Sequence, residues 1–177
     1  NVKAGDELAR HLIDQGHEKL AILTGPQHQS SAAERLLGFR KCLEENGLSV
    51  RDEWIGVGEF RRESGYKIMS EWLKKDELPT AIFAANDFLL YGAIKAILEK
   101  GLSIPRDIAA VCFDANDETG LVRPQITSIV QPADMIGTIA GEIIMRKEKN
   151  KNLPVYEKIV LEPKLSIHES SLQTIGR

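Results

Sequence analysis

The sequence predicts an α/β fold built on a parallel sheet flanked by helices, and three observations carry this. Apolar residues switch repeatedly between helical spacing and short continuous runs. The runs KLAILT (19–24), AIFAA (81–85) and IAAVCF (108–113) are nearly apolar throughout, as strands covered on both faces must be. Glycines follow the helical stretches at Gly16, Gly47 and Gly101, where a left-handed residue ends a helix at no steric cost. Alternation of this kind argues for strands joined by crossover helices.

In order, residues 6–15 place Leu8, Leu12 and Ile13 on one helical face, and 19–24 follow as a strand. A second helix is expected over 30–46, with Leu36, Phe39, Cys42 and Leu43 facing inward. Residues 54–57 read as a strand and 63–74 as a helix carrying Tyr66, Ile68, Met69, Trp72 and Leu73. Pro79 introduces the strand 81–85, and a helix is expected over 88–100. Strands at 108–113 and 126–130 precede a last helix over 133–147. A β segment over 158–168, broken by Pro163, closes the pattern, and 147–154 is the one linker-like stretch.

The chain of 177 residues is long enough for one domain or two small lobes. Its 42% hydrophobic and 28% charged residues are those of a soluble globular protein, and its net charge of −3 gives no electrostatic footprint for nucleic acid. The basic cluster 146–151 is interrupted by Glu148 and reads as a solvated helix end rather than a phosphate or membrane contact. No apolar run approaches the ~20 residues of a membrane span, and no signal-peptide pattern opens the chain. Cys42 and Cys112 lack metal spacing and read as buried, reduced thiols of a cytoplasmic protein. His11, His17, His28 and His168 form no metal motif.

Ligands of open parallel sheets bind beyond the carboxyl ends of the strands. The expected loops there hold Gln29, Ser30 and Ser31 with Arg35 just inside the next helix, then Glu59, Phe60 and Arg61, then Asn86 and Asp87, then Asp114, Asn116 and Asp117, and finally Gln131. An arginine, an aromatic, an asparagine, an aspartate and a glutamine at one sheet edge suit a polyhydroxylated ligand. Carboxylate and amide groups bind hydroxyls, and an aromatic face packs on C–H surface. Each residue also has a plainer reading. Asn86 and Asp87 suit a helix cap, 114–119 a turn, Arg35 a surface partner of Glu34, and Phe60 a core plug. Their convergence favours a binding site.

No serine, cysteine or threonine sits in a nucleophile elbow, and Gly25-Pro26 lacks the later glycines and lysine of a phosphate loop. Asp87 and Asp114 are the one possible acid/base pair. The expectation is a binding module that uses no cofactor and no metal, with a sugar-modifying enzyme as an alternative.

Five stretches carry a family resemblance: HLIDQGHEKLAILTGP (11–26), SSAAERLLGFRKCLEENGL (30–48), GEFRRESGY (58–66), PTAIFAANDFLLYGAIKAILEKGLSIPRDIAAVCFD (79–114) and PQITSIVQPADMIGTIA (124–140). In order and spacing they resemble the LacI/GalR family of transcription regulators, and LEPKLSIHESS (161–171) resembles that family's closing strands. The resemblance implies a periplasmic-binding-protein-like (type I) lobe, one of two that clamp a small effector such as a sugar or related metabolite. It implies that 1–129 form the C-terminal lobe, that 130–152 cross into an N-terminal lobe, and that 153–177 return as closing strands and tail. Most of that other lobe, and a helix-turn-helix headpiece that alone reads operator DNA, would precede Asn1. The apolar face of the 133–147 helix (Met135, Ile136, Ile139, Ile143, Ile144) would then fold back, swap between chains or lie exposed.

By the same resemblance, effector contacts fall on Arg35, Asn86 and Asp114, with Ser31, Phe60 and Gln131 beside them. A homodimer surface would take in Tyr91, Ile94, Lys95 and Val122. The sequence departs from the family at Cys112, where glycine is common, and at His168, where arginine is common. A solute-binding protein of a sugar transporter shares the fold and is the nearer alternative.

Overall fold

The computed structural model describes residues 1–115, 123–149 and 156–172. Among these residues five α-helices and six strands are formed: α1 (Val2–Asp14), β1 (Leu20–Thr24), α2 (Ser30–Glu45), β2 (Ile55–Val57), α3 (Arg62–Trp72), β3 (Ala81–Ala84), α4 (Asp87–Glu99), β4 (Ala109–Phe113), β5 (Thr127–Val130), α5 (Ala133–Lys149) and β6 (Lys164–Ser166). The strands form one sheet in the order β2-β1-β3-β4-β5-β6. β1 to β5 run parallel, with Ile22 beside Ile55 and Phe83, and Phe83 beside Val111. Only β6 is antiparallel, placing Lys164 against Val130.

Alternation along the strands divides the core in two. Leu20, Ile22, Phe83, Val111 and Phe113 face α1 and α2, where Leu8, Leu12, Phe39 and Leu43 cover them. Ala21, Leu23, Ile82, Ala110 and Cys112 face α3 and α4, under Met69, Trp72, Leu90 and Ile97. Both cysteines are free and buried. The alanines leave room for the helices to sit close to the sheet.

Within each layer the two helices meet through glycines. A Cβ on Gly38 would lie 2.0 Å from the Val2 carbonyl oxygen, and one on Gly5 2.4 Å from that of Arg35. On the other face, Cβ atoms on Gly92 and Gly65 would lie 2.0 Å and 2.1 Å from the carbonyl oxygens of Arg62 and Leu89. This contact explains why α1 starts at Val2 rather than near Asp6: its first turn is packing surface for α2. Gly16, Gly47 and Gly101 do end helices at positive φ.

The C-terminal β segment is shorter than the sequence suggested. Only Lys164–Ser166 form a strand, and 156–163 run outside the sheet to reach it. Pro163, immediately before β6, has no N–H to extend the ladder. A 3₁₀ turn, Glu169–Ser171, then packs beneath β4 and β5. α5 stands apart from both core layers, with no buried residue along its length. Among the described residues no helix is long and apolar enough to cross a membrane.

Candidate binding site at the carboxyl edge of the sheet

The chain leaves β1 to form β2 on one side and then crosses to β3 on the other, so the strand order reverses between β1 and β3. Crevices at such reversals are where open α/β sheets bind ligands. Arg35 is built into this point. It lies on the sheet-facing side of α2, only 8% exposed. Its Nη1 donates to the Ala85 carbonyl just beyond β3, and its Nε donates to Asn1 Oδ1 at 3.1 Å. The guanidinium carbon lies 3.4 Å from the centre of the Phe113 ring. Burial pulls Arg35 down to about 10, opposed first by the charge of Asp114, so it stays protonated at neutral pH.

Asp114 follows β4 with φ of 66°, the described non-glycine residue in the left-handed region. Aspartate tolerates that conformation better than most residues because its short polar side chain bonds locally. Both carboxylate oxygens are braced from the neighbouring strand. Gln131 Nε2 donates to Oδ2 at 2.8 Å, and the Gln131 backbone N–H donates to Oδ1 at 3.3 Å. A buried cation stacked on an aromatic ring thus stands beside a carboxylate fixed in direction.

Asn86 is the N-cap of α4, its Oδ1 accepting from the Leu89 N–H at 2.9 Å. The plainer reading of that asparagine is therefore realised, while its side chain still sits at the sheet edge. Phe60 is half-buried, part of the α3/α4 core layer, and its ring covers Gly25 so closely that a Cβ there would lie 2.4 Å from Cζ. Ser31 is half-buried in the first turn of α2. Asn116 and Asp117 lie outside the described residues, as does Val122. The structure thus brings Arg35, Asp114 and Gln131 together, with Asn86 adjacent through Ala85.

Sequence reading missed Phe113, Asn1 and the Ala85 carbonyl as Arg35's partners. Alternation along β4 carried part of the signal, because Phe113 must point to the α1/α2 layer that holds Arg35. Beside this cluster lies a groove of about 460 Å³, lined by Asn1, Phe113 and Gln131 and then by apolar residues of α5 and 156–163, including Ile136, Ile143 and Val160. Of the polar cluster, Gln131 lines the groove directly, and Arg35 borders it only through its partners Asn1 and Phe113. Among the described residues no group of histidine, cysteine and carboxylates has the arrangement of a metal site.

Of the residues expected at a dimer surface, Tyr91 lies under the Arg62 guanidinium at 5.4 Å. Ile94 is half-buried against the core, and Lys95 is exposed, 5.3 Å from the Tyr66 ring.

This architecture is that of a binding lobe with its site at a sheet edge. Residues 9–171 match the model of the periplasmic binding protein-like domain, and the chain belongs to that family. Within it, the chain is similar to the effector-binding region of LacI/GalR regulators. The HTH-type transcriptional repressor PurR of Haemophilus influenzae is 35% identical over 163 residues, covering 91% of this chain and 48% of that protein. A transcriptional regulator CelR, solved as its cellobiose complex, superposes with a TM-score of 0.86 at 29% identity, over 96% of this chain and 51% of that one. A LacI-family regulatory protein from Chloroflexus aggregans gives 0.85 at 28% identity, over 96% and 60%. The chain spans about half the length of the curated relatives it matches. These relatives are transcriptional regulators rather than enzymes or transport proteins.

Proposed function

We propose that this chain is the C-terminal lobe of the effector sensor of a LacI/GalR-type transcription regulator, and that its ligand is a sugar or related small metabolite. The observation that carries the reading is the pairing of a ring-stacked Arg35 with the doubly braced Asp114 at the strand-order reversal. Asp114 accepts from ligand hydroxyls, Arg35 offers its remaining N–H groups, and Gln131 keeps the carboxylate aimed. Asn86 presents its amide nitrogen while its oxygen caps α4, Ser31 adds a hydroxyl, and Phe60 supplies an apolar wall. The cellobiose seated in the similar regulator is consistent with such a ligand. The module binds without catalysing, needs no cofactor, and works in the cytoplasm.

Residues 130–152 belong to a second lobe contributed by the rest of the protein. The exposure of Met135 (54%), Ile136 (45%) and Ile144 (66%) supports this, since an apolar helix face of that extent needs a covering surface. The protein acts as a homodimer through Tyr91, Ile94, Lys95 and Val122. It contacts operator DNA through a headpiece outside this chain, with closure of the two lobes on effector setting the headpiece geometry.

In the full-length protein, Asp114→Ala removes a charge-assisted acceptor worth about 1.5–3 kcal/mol, roughly a ten- to hundredfold loss of effector affinity. Calorimetric titration with the effector found by a thermal-shift screen measures it, and operator binding should persist. Unchanged affinity in that variant would remove Asp114 from the site.

A further inference from the structure

The C-terminal segment is held to the body of the lobe by a buried hydroxyl cluster that the binding site does not use. Ser170 Oγ accepts from the Thr127 N–H at 2.9 Å and donates to the Ala110 carbonyl at 2.6 Å. Thr127 Oγ1 accepts from the His168 N–H at 2.8 Å and lies 2.9 Å from the His168 carbonyl. Ser171 Oγ lies 2.5 Å from Thr127 Oγ1 and 2.7 Å from His11 Nε2. Ser170 and Ser171 are 0% exposed and His11 is 7% exposed. Residues 160 positions apart in sequence are thereby joined by one imidazole–hydroxyl contact.

We propose that His11 is an acid-released latch, holding the segment 164–172 against α1 and β5 while its imidazole is neutral and letting it go on protonation. The hydroxyls themselves tolerate either state. An unprotonated Nε2 accepts from Ser171, whereas a protonated one donates to it and Ser171 turns its proton to Thr127. The hydroxyl cluster itself brings no counter-charge. β4 and β5 carry no charged side chain, and the segment contributes Lys164, His168 and Glu169, of which the one carboxylate, Glu169, is not ion-paired with the ring among the described residues. Asp14, further along α1, favours the cation, but burial outweighs it and pushes the His11 imidazole below its ordinary value. His17, just past the helix, is pushed the same way by burial and then by His11.

The sign follows from linkage. When the segment detaches, His11 regains its ordinary value near 6.5 and takes up a proton that the latched form resists. The latch is therefore at full strength above that pH and weakens as pH falls through it. Since 156–163 lead from α5 into β6, release slackens the return path of the chain.

Hydrogen exchange on the full-length protein, read by mass spectrometry at pH 7.5 and 5.5 and corrected for intrinsic exchange rates, tests this. Protection of 164–171 should fall several-fold relative to β1 and β3 amides on acidification, and His11→Gln, which keeps a neutral polar partner for Ser171, should abolish the difference. Equal behaviour of segment and core, or the same acid loss in His11→Gln, overturns the proposal. If that variant fails to fold, imidazole titration by NMR in the unaltered protein decides. Segment resonances that follow His11, with a midpoint below the ordinary value, support the latch. Resonances that follow His168, or do not move, refute it.

Discussion

Asp114 carries two local features at once: a left-handed backbone and a carboxylate held at both oxygens by Gln131. They make opposite demands on a substitution. Glycine relieves the backbone at φ of 66°, whereas alanine must adopt that conformation with a Cβ, at about 1–2 kcal/mol. Urea denaturation should therefore rank Asp114→Gly as more stable than Asp114→Ala, although both lose effector affinity alike. The reverse order would show that the left-handed backbone is not what decides stability at this residue. Asp114 itself was legible in sequence because it follows an apolar strand at a predictable sheet edge. Arg35's surroundings were not, since a backbone carbonyl fifty positions away and Asn1 become neighbours only when the sheet is assembled.

At the level of elements, glycine marks where helices touch and also where they do not. Gly38 and Gly92 sit against opposing backbone, which has no side chain to move aside. Gly38→Ala should destabilise the lobe by about 1–3 kcal/mol through overpacking, despite alanine's better helix propensity. On α5, Cβ atoms on Gly137 and Gly141 would meet nothing within 4 Å. Gly137→Ala should thus stabilise this chain by about 0.5–1 kcal/mol. In the full-length protein the gain should vanish if a second lobe packs on that face, so thermal melts of the two forms compare the two situations directly. The helices and the five parallel strands were readable because their periodicity reports local burial. The shortness and reversed direction of β6 were not, because three residues carry too little pattern to tell a strand from a loop.

For the molecule as a whole, two-layer covering of the sheet gives one lobe its own core, while α5 and 156–163 lie outside it. The chain passes from β5 into this outlying region and comes back through β6, and Val130 and Lys164 face each other across the ladder. Topologically, then, everything between them is a detour whose two mouths are one strand spacing apart. Bridging those mouths with a tight turn of about four residues that retains Gln131 would convert β5 and β6 into an ordinary hairpin. Such a shortened chain should melt cooperatively, near the temperature of the complete one, and a non-cooperative melt would mean that the detour contributes to the core. The antiparallel last strand is thus a port, at which a separate module can be inserted or removed without the sheet being rewired.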